Sequence, residues 1–157
     1  MTVDSDEYRE GLSFFASGIT VITVSSGAEM HGMTATSFAS VSLVPPLISV
    51  ALEKKSRTLE LVRDGRAFAV NLLGRDQEDL ARTFAIKGAK PFGRIPHRVG
   101  ANGAPLLASS LGWFECSVEG IVDGGDHEVV IAVVTRIEQG AGEPLVYYRR
   151  DYRSLLS

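Results

Sequence analysis

Apolar and polar positions change period several times along the chain, and the changes mark out its elements. Tyr8, Leu12 and Phe15 fall on one face at helical spacing, and Gly18 is placed to end that helix in the left-handed conformation glycine tolerates. Ile19–Val24 is dense in β-branched residues and predicts a strand. Gly27 and Gly32 flank an expected turn. Met33–Leu43 is a long segment rich in Thr, Ser and Ala, broken by Pro45-Pro46, and Leu47–Leu52 reads as a short buried strand. Ser56 to Arg63 predicts a short helix, with Ser56 and Thr58 as candidate N-caps. Ala67–Leu73 predicts a strand, and Asp76–Phe84 a helix with Leu80 and Phe84 on its apolar side. Gly88–Pro105, holding four glycines and three prolines, predicts a loop. Trp113–Val122, Glu128–Ile137 and Leu145–Tyr148 predict the last strands.

Six or seven strands, few helices and no regular βαβ alternation point to a mainly β fold. A closed or nearly closed antiparallel barrel follows, because closure removes exposed strand edges. A small barrel leaves its ligand sites on the rim, and a second subunit is then the natural source of the other wall of a large site.

The 157 residues are expected to form a single domain spanning 1–157. A net charge of −3 gives no basic face for nucleic acid. Met1 to Glu10 is acidic and polar, unlike a signal peptide, and Val129–Val134 is the longest aliphatic run, far too short for a bilayer. The expectation is a cytoplasmic protein with no membrane partner. The one cysteine, Cys116, cannot form an internal disulfide. Alternation puts it on one strand face with Phe114 and Val118, as a small buried hydrophobe.

Most familiar chemical signatures are missing: there is no P-loop, no Gly-x-Gly-x-x-Gly after a strand and no Gly-x-Ser-x-Gly elbow. His31, His97 and His127 lie far apart without ligand spacing, so no metal site is expected. Three segments stand out instead. Gly32 to Ser42 carries small hydroxyl residues where a barrel core would hold Val and Ile; it reads either as a solvated Thr-rich face or as a surface that lets a flat ligand approach the backbone. Lys54-Lys55-Ser56-Arg57-Thr58 opens a helix, and its free N–H groups, hydroxyls and cations read as simple capping or as a phosphate cradle. Gly124-Gly125-Asp126-His127 reads as a hairpin turn with a surface histidine.

These segments occur in an order and spacing that resembles the flavin reductase-like, FMN-binding split-barrel family. Within it the chain is similar to the short-chain reductases that supply reduced flavin to two-component aromatic monooxygenases. The matching stretches are Phe15–Thr23, Gly32–Phe38, Ser40–Leu47, Lys54–Thr58, Phe68–Leu73, Gly125–His127 and Pro144–Tyr148. The resemblance implies a six-stranded antiparallel split β-barrel with a few short helices that forms a homodimer, with flavin near the subunit interface. It implies hydride transfer from NADH or NADPH to FMN or FAD, and a partner flavin-dependent monooxygenase that receives the product. Carried over by position, Gly32, Met33, Thr34, Ala35, Thr36 and Ser37 line the isoalloxazine ring, with Ser40 and Val41 close by. Lys54, Ser56, Arg57 and Thr58 hold the flavin phosphate, and Phe84 and Ala85 touch the flavin tail. Hydroxyls and backbone of Thr34–Ser37 stabilise charge on reduced flavin. His127 acts at the nicotinamide side, and Tyr148 to Tyr152 lies near the nicotinamide nucleotide. Arg149-Arg150-Asp151 departs from the glycine-containing turn common in the family; the two arginines read as nucleotide ligands or as surface residues. The same family traits leave two other readings open: a flavin-binding carrier or redox sensor without turnover, and a split-barrel reductase of a different acceptor with bound flavin.

Overall fold

A computed structural model describes residues 1–155. Its centre is a seven-stranded, fully antiparallel sheet. In chain order it takes in β2 (Thr20–Ser26), β3 (Glu29–Ala35), β4 (Ala39–Ser42), β5 (Leu47–Glu53), β6 (Ala67–Leu72), β9 (Gly112–Gly124) and β10 (His127–Gln139), arranged β3-β2-β6-β9-β10-β5-β4. The sheet curls toward closure: the segment after β3 returns to β5, where Ser37 Oγ both accepts from Ala51 N and donates to Ala51 O at 3.0 Å. The split-barrel expectation holds; the strand count differs because the hydroxyl-rich segment breaks at Thr36–Phe38 into two strands, the second being the short β4.

Alternation explains the interior. Along β5, Ile48, Val50 and Leu52 point inward, and they meet Ile22, Val24, Phe68, Val70, Cys116 and Val130 in the barrel core. On the other face of β2, Ile19 and Val21 join Leu73, Phe84, Phe92, Leu107 and Leu145 in a second cluster. A strand buried on both faces is why Ile19–Val24 is dense in β-branched residues throughout and shows no exposed polar face. Cys116 is buried as expected, and burial pushes its thiol up to about 12, which removes thiolate reactivity near neutral pH.

Among the described residues, three α-helices decorate the barrel. Helix α1 (Ser5–Ser13) is capped by Asp4, whose carboxylate accepts from Asp6 N and Glu7 N at 2.9 Å. Helix α2 (Arg57–Gly65) is capped by Ser56, whose Oγ accepts from Leu59 N at 3.1 Å, and it plugs one end of the barrel with Leu59 and Val62. Helix α3 (Glu78–Ala85) follows a 3-10 turn and buries Ala81 and Phe84.

Several local expectations are corrected. The first helix ends at Ser13, and Gly18 is extended in β1 (Ser17–Gly18), which pairs with β11 (Leu145–Tyr148). Gly27, at φ +60, and Ala28 make the β2–β3 turn; Gly32 lies inside β3, paired with Thr23. The stretch expected as loop from Gly88 to Pro105 contains a 3-10 turn and β7 (His97–Val99), which pairs with β8 (Pro105–Leu107). After β11 the chain turns back as β12 (Asp151–Ser154). None of the described helices is long and apolar enough to cross a membrane.

Candidate flavin site

Strand β3, the start of α2 and the loop after α3 enclose a cavity of about 470 Å³. From the sequence set it gathers Gly32, Met33, Thr34, Ser56, Arg57, Thr58, Phe84 and Ala85. β3 supplies the floor. Gly32 permits it to lie against its neighbours: a Cβ there would stand 2.8 Å from Ile22 O and 2.9 Å from Phe84 Cε1. The α2 N-terminus supplies N–H groups and the positive end of a helix dipole. The lining carries four cations, Lys55, Arg57, Lys87 and Lys90, against two carboxylates, Glu29 and Glu53. That excess, on a helix start, suits an anionic group.

Several of these charged groups have definite partners. Arg57 donates to Glu29 at 3.0 and 2.5 Å and meets Glu60 at 2.7 Å. The Arg57 hydrogen bond holds the Glu29 carboxyl below its usual range, and the two carboxylates in turn strengthen the protonated guanidinium. A phosphate arriving here would compete with Glu29 for Arg57. Lys90 Nζ ties back to Ile86 O, and burial lowers the Lys90 ammonium from its ordinary value.

The remaining sequence-derived residues go elsewhere. Lys54 turns away to pair with Asp123, and Lys55 takes its place in the cavity. Ala35 points into the barrel core. Thr36 and Ser37 line a separate hollow of about 510 Å³ with Arg9, Phe15, Tyr147 and Arg150. Ser40 and Val41 lie exposed on β4. Tyr148 and Tyr152 border a third hollow with Ala16 and Arg153, where Arg82 sits 4.7 Å over the Tyr152 ring. Two of the three hydroxyl protons assigned to reduced flavin are already engaged: Thr34 Oγ1 donates to Ala81 O at 2.6 Å, and Ser37 donates to Ala51 O. What these residues retain for a ligand is lone pairs and backbone. Thr58 is likewise engaged, with its Oγ1 2.9 Å from Nδ1 of the buried His31.

His127 opens β10, opposite Glu53 of the cavity wall in the β5–β10 pairing. It is part-exposed, and its Nδ1 lies 2.6 Å from Asp126 Oδ1, whose carboxyl the contact holds below its usual range. The turn is fixed on the neighbouring strand end by Lys54 N donating to Asp126 O at 3.0 Å. Arg149 and Arg150 contact Glu10 at 3.4 Å, and Arg149 covers Phe14 at 4.1 Å, so both arginines clip the C-terminal hairpin to α1. Sequence reading missed His31, Glu29 and the Ile86–Lys90 loop. His31 carried one usable signal: two residues before Met33, it shares that residue's strand face.

Comparison with known proteins gives the family. Residues 12–156 match the model of the flavin reductase like domain. A probable flavin reductase of Rhizobium meliloti is 39% identical over 150 residues, covering 95% of this chain; the chain spans about half, 48%, of that protein. The reductase component of 4-hydroxyphenylacetate 3-monooxygenase from Thermus thermophilus is 36% identical, covering 96% of this chain and 97% of its own. The solved structure of the Streptomyces globisporus NADH:FAD oxidoreductase SgcE6, in complex with NAD and FAD fragments, superposes with a TM-score of 0.92 at 32% identity, covering 99% of this chain and 97% of the other. By sequence and by fold, the chain belongs to the flavin reductase like domain family.

Proposed function

We propose that the chain, as a single domain over residues 1–157, is an NAD(P)H-dependent flavin reductase that supplies reduced FMN or FAD to a partner flavin-dependent monooxygenase. The observation that carries the reading is the cavity: a glycine-floored strand beside a helix N-terminus, with four cations against two carboxylates. A planar ring with an anionic tail fits that combination. The names of the relatives support the rest, including NADH as the hydride donor and a monooxygenase as the consumer.

When bound, the flavin accepts a hydride from reduced nicotinamide, chemistry the two cofactors carry between themselves. The chain's task is placement. Gly32, Met33 and Thr34 form the surface on which the ring side rests. Ser56 and Arg57 at the α2 start, with Lys55, Lys87 and Lys90, take the phosphate. His127, beside the cavity wall and held by Asp126, positions the nicotinamide. Tyr148 and Tyr152 belong to the nucleotide end of the donor. A homodimer brings Thr36, Ser37, Ser40 and Val41 to the same flavin from the other wall. The single buried thiol suits a reducing, cytoplasmic setting.

The test is NADH oxidation followed with added FMN and, separately, FAD. Rates should scale with flavin, and His127→Ala should raise the KM for NADH or lower turnover while flavin binding persists. Flavin binding without NADH or NADPH oxidation would replace this reading with a carrier or sensor.

A further inference from the structure

His31 stands where three walls of the cavity meet. It belongs to β3; its Nδ1 is 2.9 Å from Thr58 Oγ1 in the first turn of α2, and its Nε2 is 3.1 Å from Gly88 O in the loop after α3. A carbonyl only accepts, so Nε2 carries the proton and donates to Gly88. In the neutral ring Nδ1 then accepts from the Thr58 hydroxyl. Burial holds His31 toward that neutral form, helped by Lys90 and Arg57 and opposed by the Gly88 carbonyl and Glu29. Both ring nitrogens are therefore used within the protein, which leaves none for a ligand.

The loop that His31 grips is a cavity wall throughout: Ile86, Lys87, Gly88, Ala89 and Lys90 all line it. Lys90 bonds within the loop, to Ile86 O. Among the described residues, the loop's other polar link to the barrel is the exposed Lys87–Glu53 pair at 3.6 Å. An exposed pair of that kind contributes little, so the part-buried bond from His31 is the one able to fix where Lys87 and Lys90 stand relative to Ser56 and Arg57.

We propose that His31 is a positioning residue for the flavin phosphate: by donating to Gly88 O it holds the Ile86–Lys90 loop, and the cations on it, against the start of α2 without touching the flavin. The inference rests on the flavin reductase reading and adds to it a residue that acts through the loop.

Two substitutions separate the two hydrogen bonds. His31→Asn keeps an acceptor near the Nδ1 position but does not reach Gly88. His31→Gln carries its amide nitrogen near the Nε2 position and can still donate there. Binding of FMN and of riboflavin, which lacks the phosphate, is read by flavin fluorescence, with thermal melting to establish folding. His31→Asn should weaken FMN about five-fold, the effect of one hydrogen bond, and riboflavin less than about two-fold. His31→Gln should restore FMN affinity, and the KM for FMN should rise in step with the dissociation constant while kcat changes less. If His31→Asn melts out, His31→Ser, which likewise cannot reach Gly88, carries the same expectation of selective FMN loss. Equal weakening of FMN and riboflavin, or no rescue by a folded His31→Gln, overturns the proposal. A wild-type protein that binds no flavin at all overturns the parent reading instead, and this inference with it.

Discussion

At the scale of single residues, Gly32 has the least room to change. Its missing Cβ would be 2.8 Å from Ile22 O, a carbonyl of the adjoining strand β2, and 2.9 Å from the Phe84 ring. Phe84 cannot retreat freely, because it packs edge-on against Phe92 at 5.6 Å between centroids. Gly32→Ala should therefore destabilise the fold by about 1–3 kcal/mol, the usual range for forcing an extra carbon into a packed site, and should weaken flavin binding. Denaturant unfolding measures the first effect; an unchanged midpoint would show that β3 shifts at no cost. The same scale shows what residue types conceal. Residue types alone left a solvated strand face and simple helix capping open at Gly32–Thr34 and Ser56–Thr58; the family resemblance grouped them with Phe84 and Ala85, and the structure gathers all of them around one cavity. The hydrogen-bond state of Thr34, Ser37 and Thr58 was not legible in the sequence. A hydroxyl run advertises donors, but whether the protons are free depends on carbonyls far away in sequence, here Ala81 O and Ala51 O, and on His31.

At the scale of elements, the informative feature is the β11–β12 turn. Arg149 and Arg150 both adopt positive φ, 54° and 61°, in a two-residue connection that favours Asn-Gly. The left-handed conformation costs each arginine on the order of 1 kcal/mol relative to glycine. Contacts with α1 offset it: Arg149 N donates to Ser13 O, both arginines reach Glu10, and Arg149 lies over Phe14. Replacing either arginine with glycine relieves nearly the same backbone cost and removes one partly exposed ion pair. The difference between the two variants is then the Phe14 stack, so Arg150→Gly should be more stable than Arg149→Gly by roughly 0.5–1 kcal/mol. Equal unfolding midpoints would show that the stack contributes nothing. Short apolar runs that follow a proline, such as β5 and β11, were legible to within a residue or so. The hairpin of β7 and β8 was not, because glycine and proline punctuate a short hairpin as readily as a loop.

At the scale of the whole molecule, the pattern of exposed apolar side chains bears on assembly. Helix α1 buries none of its residues, leaving Tyr8 and Leu12 open, with Phe14 and Phe15 beyond its end. Leu43 and Val44, between β4 and β5, are 86% and 88% exposed. Fully burying side chains of this size is worth about 1.5–3 kcal/mol each, so a surface that leaves several uncovered favours a second copy. The proposed homodimer gives them a partner, and it also supplies a second wall for the flavin proposed to lie against β3, α2 and the Ile86–Lys90 loop. Sedimentation velocity should then show a species of twice the 16.9 kDa chain mass. Placing charges in the patch, Leu43→Asp with Val44→Asp, should shift it toward the monomer. Because those residues lie outside the cavity of about 470 Å³, any parallel loss of FMN affinity in that variant would come through the subunit interface. A wild-type chain sedimenting as a monomer at micromolar concentration would leave these side chains uncovered and the dimer unsupported. A dimer that survives the two aspartates would move the interface to α1 and the hollow formed by Phe15, Thr36, Ser37 and Tyr147.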